Sequence, residues 1–576
     1  MKPRSAEHDA RYGRYRWRSA LVLALVVVGA ALLAARAVDL QLVDHRFLLQ
    51  QGDERALRVI TIPAHRGEIL DRNGEPLAIS TPVDSVWVNP QVVDRNLDEL
   101  PRLARALRES GHALARQITG HLDRQFLYVA RHLPPDQAAR VKALDIPGVY
   151  LMREYQRFYP AGEVTGHVVG FTTIDDRGQD GLELSYDPVL TGVDGAERVL
   201  QDMYGDYVQD VDNIRPPRPG RDLVTSIDLR IQYLAYRALK AAVQRYHAEA
   251  GSVTVIDCRT GEVLAMADQP SFNPNDRSQY QPNLYRNRAA TDMFEPGSSM
   301  KPFIIAAALT SGEYRPGSIV DTSPGYLKVD DKVFRDEQDY GPINLSTILE
   351  KSSNVGAAKV ALSLPPELIW KTLTNLGFGQ VTGSDFPGES SGILTNYTQW
   401  RPIRIATLSH GYGISVTALQ LAHAYATIGA YGLERPISFV RVHGPVPGVR
   451  VLRASVARSL IGLMRDVVSA GGTAPAAAVV GYKVAGKTGT AWISDDGGYS
   501  THQYRAVFAG LVPASDPRLA TVVVIDKPSG PLYYGGEVAA PVFSSVMTGA
   551  MRLLDVPPDD LQAMPATTLV RLDEAP

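Results

Sequence analysis

A serine and a lysine three residues apart are the first feature of this sequence that suits chemistry. Ser298 and Lys301 lie in the segment Glu295–Pro302, where Pro296 and Gly297 predict a turn leading into the start of a helix. Residues three apart on a helix share a face, so the two side chains can meet. A serine hydroxyl becomes a good nucleophile when a base accepts its proton, and lysine does so only when neutral. Burial and the positive end of the helix dipole would both lower the pKa of the lysine.

The Ser-x-x-Lys pair is a weak signal by itself, because most such pairs lie on solvated helix faces. Two later motifs strengthen it. Ser352–Asn354 gives a hydroxyl and an amide two residues apart, although Ser and Asn are also common in helix caps and turns. Lys487–Thr490 lies in a strand-like run, where a lysine is also typical of an ordinary edge strand. The three motifs, in this order, are those of penicillin-interacting serine enzymes.

Composition excludes several other classes of site. The formal net charge is -3 over 576 residues. Nucleic-acid-binding proteins usually carry a concentrated basic face, and this overall charge gives no indication of one. The one cysteine, Cys258, excludes an internal disulfide and a Cys-based zinc site. The histidines do not show the spacing of a helical metal site. We therefore expect no metal, no cofactor and no nucleic-acid partner.

The N-terminus predicts a single membrane anchor. Arginines between Arg11 and Arg18 precede an uncharged run, Ser19–Ala35, that lies at the short end of what spans a bilayer. Arg36 can snorkel outward, which extends the anchor to residues 19–42. Basic residues before the run keep a cytoplasmic tail of residues 1–18 inside and place the rest outside. Two alternatives are a signal peptide cleaved at Ala35–Ala37, with a longer apolar run than usual, and a buried core helix.

The remaining chain is too long for one core and predicts two domains. The breaker-rich segment Arg215–Gly220 suggests a boundary between residues 43–220 and 221–560, with a flexible tail at 561–576. Within the first domain, Arg102–Leu144 reads largely as helix. Pro134-Pro135 must interrupt it, which predicts at least two helices.

The second domain predicts an α+β fold, with an antiparallel sheet and helices packed on it. Strand-like runs occur early and late, and helical stretches such as Phe303–Leu309 and Leu419–Ala430 lie between them. The predicted strands are Gly251–Asp257, Glu262–Ala267, Lys483–Thr490, Arg505–Val512 and Ala520–Asp526.

With these residues in hand, the chain resembles the class B penicillin-binding proteins over nearly its whole length. Arg66–Gly74, Arg157–Pro160, Gly181–Glu183 and Tyr186-Asp187 are similar to signatures of that family's elongated, non-catalytic pedestal or dimerisation-type domain. Read without the family, their charged residues would be surface charges or buried ion pairs that lock a domain interface, and we favour an interface role over catalysis. No segment resembles the glycosyltransferase domain of class A relatives, so the resemblance implies no glycan polymerisation.

Within the class, the chain looks most like the cell-division type of transpeptidase. One departure is His410, in Ser409–Gly413, where the family pattern has an aromatic residue, usually tyrosine. The segments that carry the resemblance are Phe294–Pro302, Lys351–Gly356, Gly471–Ala474, Val484–Ala491, Tyr533–Gly536, Ala539–Phe543 and Val556–Pro558.

The resemblance implies a catalytic role for each of the first motifs. Ser298 would attack the carbonyl of the penultimate D-alanine of a pentapeptide stem, and Lys301 would take its proton. Ser352 would relay a proton to the leaving amine, and Asn354 would hold a substrate amide. The backbone N–H groups of Ser298 and Thr490 would form the oxyanion hole.

The same resemblance implies the residues that bind substrate. Lys487, which we count with the catalytic residues, and Thr488 would face the terminal carboxylate. Gly489 allows close approach of a backbone, and Thr490 would bind nearby. Tyr533 and its neighbour would form an aromatic wall, with strand-edge packing as the alternative interpretation.

The implied setting is the bacterial inner membrane, with the catalytic domain in the periplasm. Implied partners are peptidoglycan stem peptides, β-lactam antibiotics and divisome membrane proteins, including a septal glycan polymerase. The alternatives are an elongation-type class B transpeptidase, a β-lactamase or D,D-carboxypeptidase on the same scaffold, and a β-lactam-binding sensor or scaffold without essential catalysis.

Overall fold

The computed structural model describes residues 7–46, 57–201, 207–278, 281–495 and 498–561. Residues 1–6 of the predicted cytoplasmic tail and 562–576 of the predicted C-terminal tail lie outside them. The first helix, α1, is Glu7–Val38, and a π-helical turn, Asp39–Val43, follows it. Among the described residues, Trp17–Val43 is the one helical segment long and apolar enough to cross a membrane. It covers the predicted anchor.

Nineteen strands occur in the described residues. They are β1 (Leu57–Ile62), β2 (Ile69–Leu70), β3 (Pro76–Val88), β4 (Leu127–Leu133), β5 (Val149–Phe158), β6 (Gly195–Gln201), β7 (Tyr207–Arg215), β8 (Leu223–Val224), β9 (Ala250–Asp257), β10 (Val263–Gln269), β11 (Ile319–Asp321), β12 (Tyr326–Val329), β13 (Lys332–Arg335), β14 (Pro342–Asn344), β15 (Leu433–Glu434), β16 (Val449–Arg450), β17 (Ala485–Asp495), β18 (Gly498–Val512) and β19 (Leu519–Asp526).

The α-helices after α1 range from single turns to five turns. They are α2 (Pro90–Val93), α3 (Leu100–Leu107), α4 (Gly111–Thr119), α5 (Pro135–Lys142), α6 (Gly166–Val169), α7 (Gly181–Ser185), α8 (Asp187–Leu190), α9 (Leu229–Arg245), α10 (Pro282–Tyr285), α11 (Arg288–Thr291), α12 (Lys301–Ser311), α13 (Leu345–Glu350), α14 (Asn354–Ser363), α15 (Pro366–Asn375), α16 (Pro402–Leu408), α17 (Ala418–Gly429), α18 (Ala454–Met464), α19 (Gly535–Val538) and α20 (Ala540–Leu553).

The chain forms two compact units, and neither is one continuous stretch. Unit 1 is Met1–Ala64, Pro82–Tyr155 and Val193–Arg218, and unit 2 is the remainder. Unit 2 thus takes in residues 65–81 and 156–192, which precede the boundary predicted at 220. These two segments are tied to each other by buried ion pairs described below, which local sequence patterns do not reveal.

Unit 1 contains a small α/β core and a separate ribbon of strands. Strands β1, β6 and β7 form an antiparallel sheet. The second half of β3 pairs with β4, and Val86 and Val88 on it pack with Leu103 and Leu114 of the helices.

The predicted helical stretch Arg102–Leu144 is partly wrong. Helices α3, α4 and α5 cover much of it, and α5 begins at Pro135 as the proline pair requires. However, Leu127–Leu133 is strand β4. Its alternating apolar residues, such as Val129 and Leu133, are buried on one face of the sheet, and this pairing with β3 overrides the local helical pattern.

Unit 2 is built on a five-stranded antiparallel sheet in the order β10-β9-β19-β18-β17. All five strands predicted for this domain are confirmed, and so are the predicted helices Phe303–Leu309, inside α12, and Leu419–Ala430, which matches α17 to within a residue. Helix α17 begins with a capping box between Thr417 and Gln420, and every residue in it is buried. The α+β fold is therefore confirmed, with β17 at the edge of the sheet.

A buried ionic cluster joins the two early segments of unit 2. Glu183 has no exposed side-chain surface and pairs with Arg66 (Nη2 to Oε2, 2.8 Å) and with Arg157 (Nε to Oε1, 2.6 Å). Arg66 also pairs with Asp187 at 2.7 Å. The alternative of buried ion pairs for these charged signatures is therefore the one the structure shows. Tyr159 follows Arg157 closely in the chain, and burial, together with the charge of Glu183, raises the pKa of its hydroxyl.

Cys258 lies in the interior of unit 2, directly after β9. A Cβ atom added to Gly429 of α17 would lie 2.6 Å from the cysteine Sγ, so helix and thiol are in close contact. Burial raises the pKa of the thiol. The group is therefore uncharged and shielded.

Candidate active site

The turn that carries Ser298 is held firmly against the sheet. It is a 3-10 turn, Gly297–Met300, and α12 follows it directly. Gly297 has φ +58°, a conformation that side chains disfavour. A Cβ atom on Gly489 of β17 would lie 2.5 Å from the Pro296 carbonyl oxygen, so only glycine permits the strand to approach this closely.

Hydrogen bonds from below fix the same turn. The Ser299 hydroxyl donates to the Pro296 carbonyl at 2.7 Å, and the Tyr425 hydroxyl of α17 donates to the Ser299 carbonyl at 3.0 Å. Ser299 and Tyr425 are buried, whereas Ser298 between them and the solvent is partly exposed. The sequence thus builds a rigid support under an accessible hydroxyl.

Lys301 is the first residue of α12 and is completely buried. Its ammonium donates to the Ser352 Oγ at 3.1 Å, to the Asn354 Oδ1 at 2.8 Å and to the Ser352 carbonyl. Among the described residues, these hydrogen bonds of Lys301 go to the second motif and not to Ser298. The sequence predicts that the side chains of Ser298 and Lys301 can meet on one helix face. Ser298 instead lies in the 3-10 turn before α12, and these hydrogen bonds do not join the two side chains.

Ser352 lies in an unusual backbone conformation between two helices. Its φ is +56°, in the left-handed region where side chains other than glycine and asparagine are uncommon. It follows the end of α13, and the next N–H, of Ser353, bonds back to the Ile348 carbonyl at 3.0 Å. Ser353 then caps α14 by accepting from Gly356 N at 2.8 Å. The tight connection directs the Ser352 hydroxyl toward the two site lysines.

Lys487 approaches the same hydroxyl from β17. Its ammonium donates to the Ser352 Oγ at 3.0 Å and to the Thr488 carbonyl at 3.1 Å, and it is completely buried. Ser352 is therefore bracketed by Lys301 and Lys487. One hydroxyl that contacts two amines can accept a proton from one side and donate one to the other.

Burial disturbs the charge of both lysines. It lowers the pKa of Lys301 to about 7, while the negative charge of Asp336 acts in the opposite direction. It also lowers the pKa of Lys487 well below its usual range, and the nearby charge of Lys301 adds to this effect. A large fraction of Lys301 is thus neutral near pH 7, which a proton acceptor requires.

Two cavities meet at Ser298. The first has a volume of about 540 Å³, and the second of about 480 Å³. We call them the threonine cavity and the aromatic cavity. The predicted site residues that line the threonine cavity are Ser298, Ser352, Asn354, Thr488 and Thr490. Ser298 therefore belongs to the lining of both cavities.

Aromatic rings form much of the second cavity. Tyr533 stacks on Tyr504 with ring centroids 4.1 Å apart and on Tyr534 at 4.5 Å, and all three line the cavity. These three rings therefore form a stack at one side of the cavity, and a substrate-binding role for Tyr533 stays a prediction. His410 also lines this cavity, and burial, helped by the charge of Lys301, lowers the pKa of its imidazole to about 3. His410 is therefore neutral at physiological pH.

Several site residues were missed in the sequence. Asp336, after β13, contacts the second motif, and the Thr473 hydroxyl shares a hydrogen bond of 3.0 Å with the Thr488 hydroxyl. Tyr412 and Tyr499 lie in the aromatic cavity. Asp336 and Tyr499 lie outside every segment identified from the sequence. Thr473 and Tyr412 lie inside Gly471–Ala474 and Ser409–Gly413 but were given no role there, and only the fold brings all four near Ser298. Among the described residues, no group of three or more His, Cys, Asp or Glu is placed to hold a metal ion.

Comparison with known families assigns both halves of the chain. Residues 251–548 match the family described as the penicillin binding protein transpeptidase domain. Residues 61–225 match the penicillin-binding protein dimerisation domain.

Curated proteins match over almost the full length. The chain is 41% identical to peptidoglycan D,D-transpeptidase FtsI of Escherichia coli K12, covering 97% of this chain and 95% of that protein. It is 41% identical to the probable peptidoglycan D,D-transpeptidase PbpC of Pseudomonas aeruginosa, over 96% and 98% of the two chains.

Solved structures agree. Penicillin-binding protein 3 of Mycobacterium tuberculosis in complex with aztreonam is 28% identical, with a TM-score of 0.68 over 87% of this chain and 98% of that one. The transpeptidase domain of penicillin-binding protein 3 from Burkholderia pseudomallei is 40% identical, with a TM-score of 0.54 over 59% of this chain and 98% of that one.

Proposed function

We propose that this chain, which belongs to the class B penicillin-binding proteins and is a peptidoglycan D,D-transpeptidase of the FtsI class, cross-links stem peptides at the division septum. The reaction runs through an acyl-enzyme on Ser298, and β-lactams trap the same serine. The observation that carries the proposal is the convergence of two buried lysines on Ser352 beside the partly exposed Ser298.

Acylation begins with Ser298. Its Oγ forms an ester with the carbonyl of the penultimate D-alanine, and the peptide bond to the terminal D-alanine breaks. Lys301 takes the serine proton, and the low pKa of this lysine supports that role. For this step the Lys301 ammonium must leave Ser352 or Asn354, which it contacts in the structure and which line the threonine cavity together with Ser298.

Release of the terminal D-alanine requires a proton on its amine. Ser352 relays that proton, and its hydrogen bonds to both Lys301 and Lys487 support the relay. Asn354 holds a substrate amide with the side chain that also bonds Lys301. An amine from a neighbouring stem then attacks the ester, which restores Ser298 and completes the cross-link.

The substrate carboxylate binds at the edge strand. Thr488 and Thr490 line the threonine cavity and face the carboxylate, and Lys487 reaches it from its contact with Thr488. Gly489 lets the strand lie against the turn of the nucleophile. The N–H groups of Ser298 and Thr490 act as the oxyanion hole. Lys487 gains a proton when the carboxylate binds, since an adjacent negative charge favours the charged form of an amine. Tyr533 packs against the substrate or an antibiotic from the aromatic cavity.

We also propose the cellular setting. The apolar segment Trp17–Val43 anchors the protein once in the bacterial inner membrane, with the N-terminus cytoplasmic and the catalytic domain periplasmic. A pedestal domain of residues 43–220 and a transpeptidase domain of residues 221–560 remain our proposed boundaries. The partners are divisome membrane proteins, including a septal glycan polymerase, and the similarity to the peptidoglycan D,D-transpeptidase FtsI supports them.

The test is the fate of a penicillin label on the full-length protein in detergent. We expect mass spectrometry of a digest to place one stable adduct on Ser298, and Ser298→Ala to remove it. Rapid release of hydrolysed antibiotic would instead indicate a β-lactamase. Release of D-alanine followed by hydrolysis of the acyl-enzyme, without cross-links, would indicate a carboxypeptidase.

A second experiment tests whether catalysis is needed in the cell. If Ser298→Ala still supports division and septal cross-linking, the protein is a sensor or scaffold. If cells that carry only the Ser298→Ala variant still divide but lose control of their width, the protein is an elongation-type transpeptidase.

A further inference from the structure

Asp336 occupies a central position beside the second motif, although no motif contains it. It follows β13, and its carboxylate accepts three hydrogen bonds from the start of α14. The Ser353 hydroxyl donates to Oδ2 at 2.6 Å, and the N–H groups of Asn354 and Val355 donate to Oδ1 at 2.5 and 3.0 Å. A carboxylate at a helix N-terminus satisfies N–H groups that the helix leaves unpaired.

These hydrogen bonds hold the backbone at Ser353 and Asn354, and thereby the segment that follows Ser352. Ser352 has the left-handed φ of +56°, so its orientation is stable only if both flanking segments are anchored. The end of α13 anchors one side through the bond from Ser353 N to the Ile348 carbonyl. Asp336 anchors the other side through Ser353 and Asn354.

We propose that Asp336 is a positioning residue, which holds the Ser352 hydroxyl and the Asn354 amide against Lys301 and adjusts acylation of Ser298 through its negative charge. The inference rests on the proposed function, since it assumes that Ser298 is acylated and that Lys301 accepts its proton. Asp336 acts through these groups. It also lines the threonine cavity, so its charge reaches the site directly.

The charge effect follows from the groups that face Lys301. Lys487 faces it from β17, His410 from the segment after α16, and Asp336 from the segment after β13. His410 is neutral, and Lys487 has a pKa far below its usual value, so Asp336 is the group whose negative charge favours the ammonium form of Lys301. Removal of that charge should lower the pKa of Lys301 further.

The experiment compares Asp336→Asn with Glu337→Gln in the full-length protein. Both changes remove one negative charge from the lining of the same cavity, but the three hydrogen bonds to α14 belong to Asp336. The acylation rate constant with a fluorescent penicillin is measured from about pH 5 to 9, around the pKa of about 7 of Lys301.

For Asp336→Asn we expect two changes. The acidic limb of the profile moves to lower pH, because Lys301 becomes neutral earlier. The plateau falls roughly 10-fold to 100-fold, because the asparagine cannot accept all three bonds and Ser352 and Asn354 are displaced. Glu337→Gln should leave the acidic limb at its wild-type pH, because Asp336 and not Glu337 is the carboxylate whose charge acts on Lys301.

A third variant separates charge from geometry if Asp336→Asn reduces the folded fraction. Asp336→Glu keeps the charge and displaces the carboxylate, so we expect a lower plateau with the acidic limb near its wild-type pH. An acidic limb that stays at the wild-type pH in Asp336→Asn would overturn the inference. Wild-type protein that takes no label would overturn the proposed function instead, and the two failures are therefore distinct.

Discussion

Two buried sets of cations in unit 2 behave in opposite ways. Around Glu183, the guanidinium groups of Arg66 and Arg157 each face a carboxylate within 3 Å. Beside Ser298, Lys301 and Lys487 are equally buried but converge on a hydroxyl. The first arrangement keeps its charges and joins two chain segments. The second depresses the pKa of its cations, which gives an amine that exchanges protons near neutral pH.

The difference lies in the supply of counter-charge. Buried arginines keep their charge in proteins and need full pairing, whereas a buried lysine responds to poor pairing by releasing its proton. The ionic cluster should therefore contribute to stability and the lysine pair to chemistry. Four predictions test this division.

The largest expected effect is that of Lys301→Ala on acylation. Loss of the proton acceptor should reduce the rate constant for penicillin labelling about 100-fold to 10,000-fold with the fold intact. Stopped-flow labelling and circular dichroism measure the two quantities. Lys240→Ala is the control, since that lysine is on the surface of unit 2, paired with Glu163. Labelling of Lys301→Ala near the wild-type rate would show that the base is elsewhere.

The ionic cluster should give the opposite result. Glu183→Gln leaves two buried arginines short of a charge and should cost about 3–5 kcal/mol in the free energy of unfolding. Thermal and urea unfolding of the full-length protein measure it. Glu163→Gln, at an exposed ion pair with Lys240, should cost under about 1 kcal/mol. If Glu183→Gln and Glu163→Gln lower the free energy of unfolding equally, the buried ion pairs of the cluster contribute no more to stability than a surface ion pair.

The pH dependence of acylation should show the lysine directly. Lys301 is protonated below its pKa of about 7 and then cannot accept the serine proton. The rate constant should therefore rise about tenfold from about pH 6 to about pH 8 in wild-type protein. If the rate constant does not change between about pH 6 and about pH 8, the base titrates outside this range. The lysine pair would then not exchange protons near neutral pH, in contrast to what we infer from its burial.

The smallest effect is expected at His410. Its low pKa makes the imidazole neutral, so it adds no third cation to the lysine pair. His410→Tyr places an aromatic ring at the same wall, next to Phe334 and Tyr412. We expect the acylation rate constant to change by less than about threefold. A change above tenfold would show that the imidazole takes part in the proton exchange.

The comparison also explains what the sequence could predict. Ser298, Lys301, Ser352 and Lys487 belong to short motifs, and the strands and helices that carry them have clear local patterns. The structure brings them together through β17 and the start of α12, as the order of the motifs suggested. Hydrophobic patterning decides such elements locally, which is why the sheet of unit 2 could be predicted.

What the sequence could not predict depends on long-range contacts. Asp336 is in a polar segment that looks like an ordinary loop, and its three acceptor contacts exist only after α14 has packed beside it. Ser352 has a left-handed backbone conformation, which a sequence usually signals by glycine or asparagine, so a serine at this position does not predict it. The local pattern of β4 predicts helix, because its pairing partner, β3, lies about forty residues earlier in the chain and cannot be recognised from that pattern.

The single cysteine has a practical consequence for experiments. Cys258 is enclosed next to Gly429 and its pKa is raised, so maleimide and iodoacetamide reagents should find no thiolate in the native protein. A new cysteine on the surface would then be the only position to take a dye or spin label. Cysteines introduced at chosen surface positions can therefore be labelled for distance measurements without first replacing Cys258.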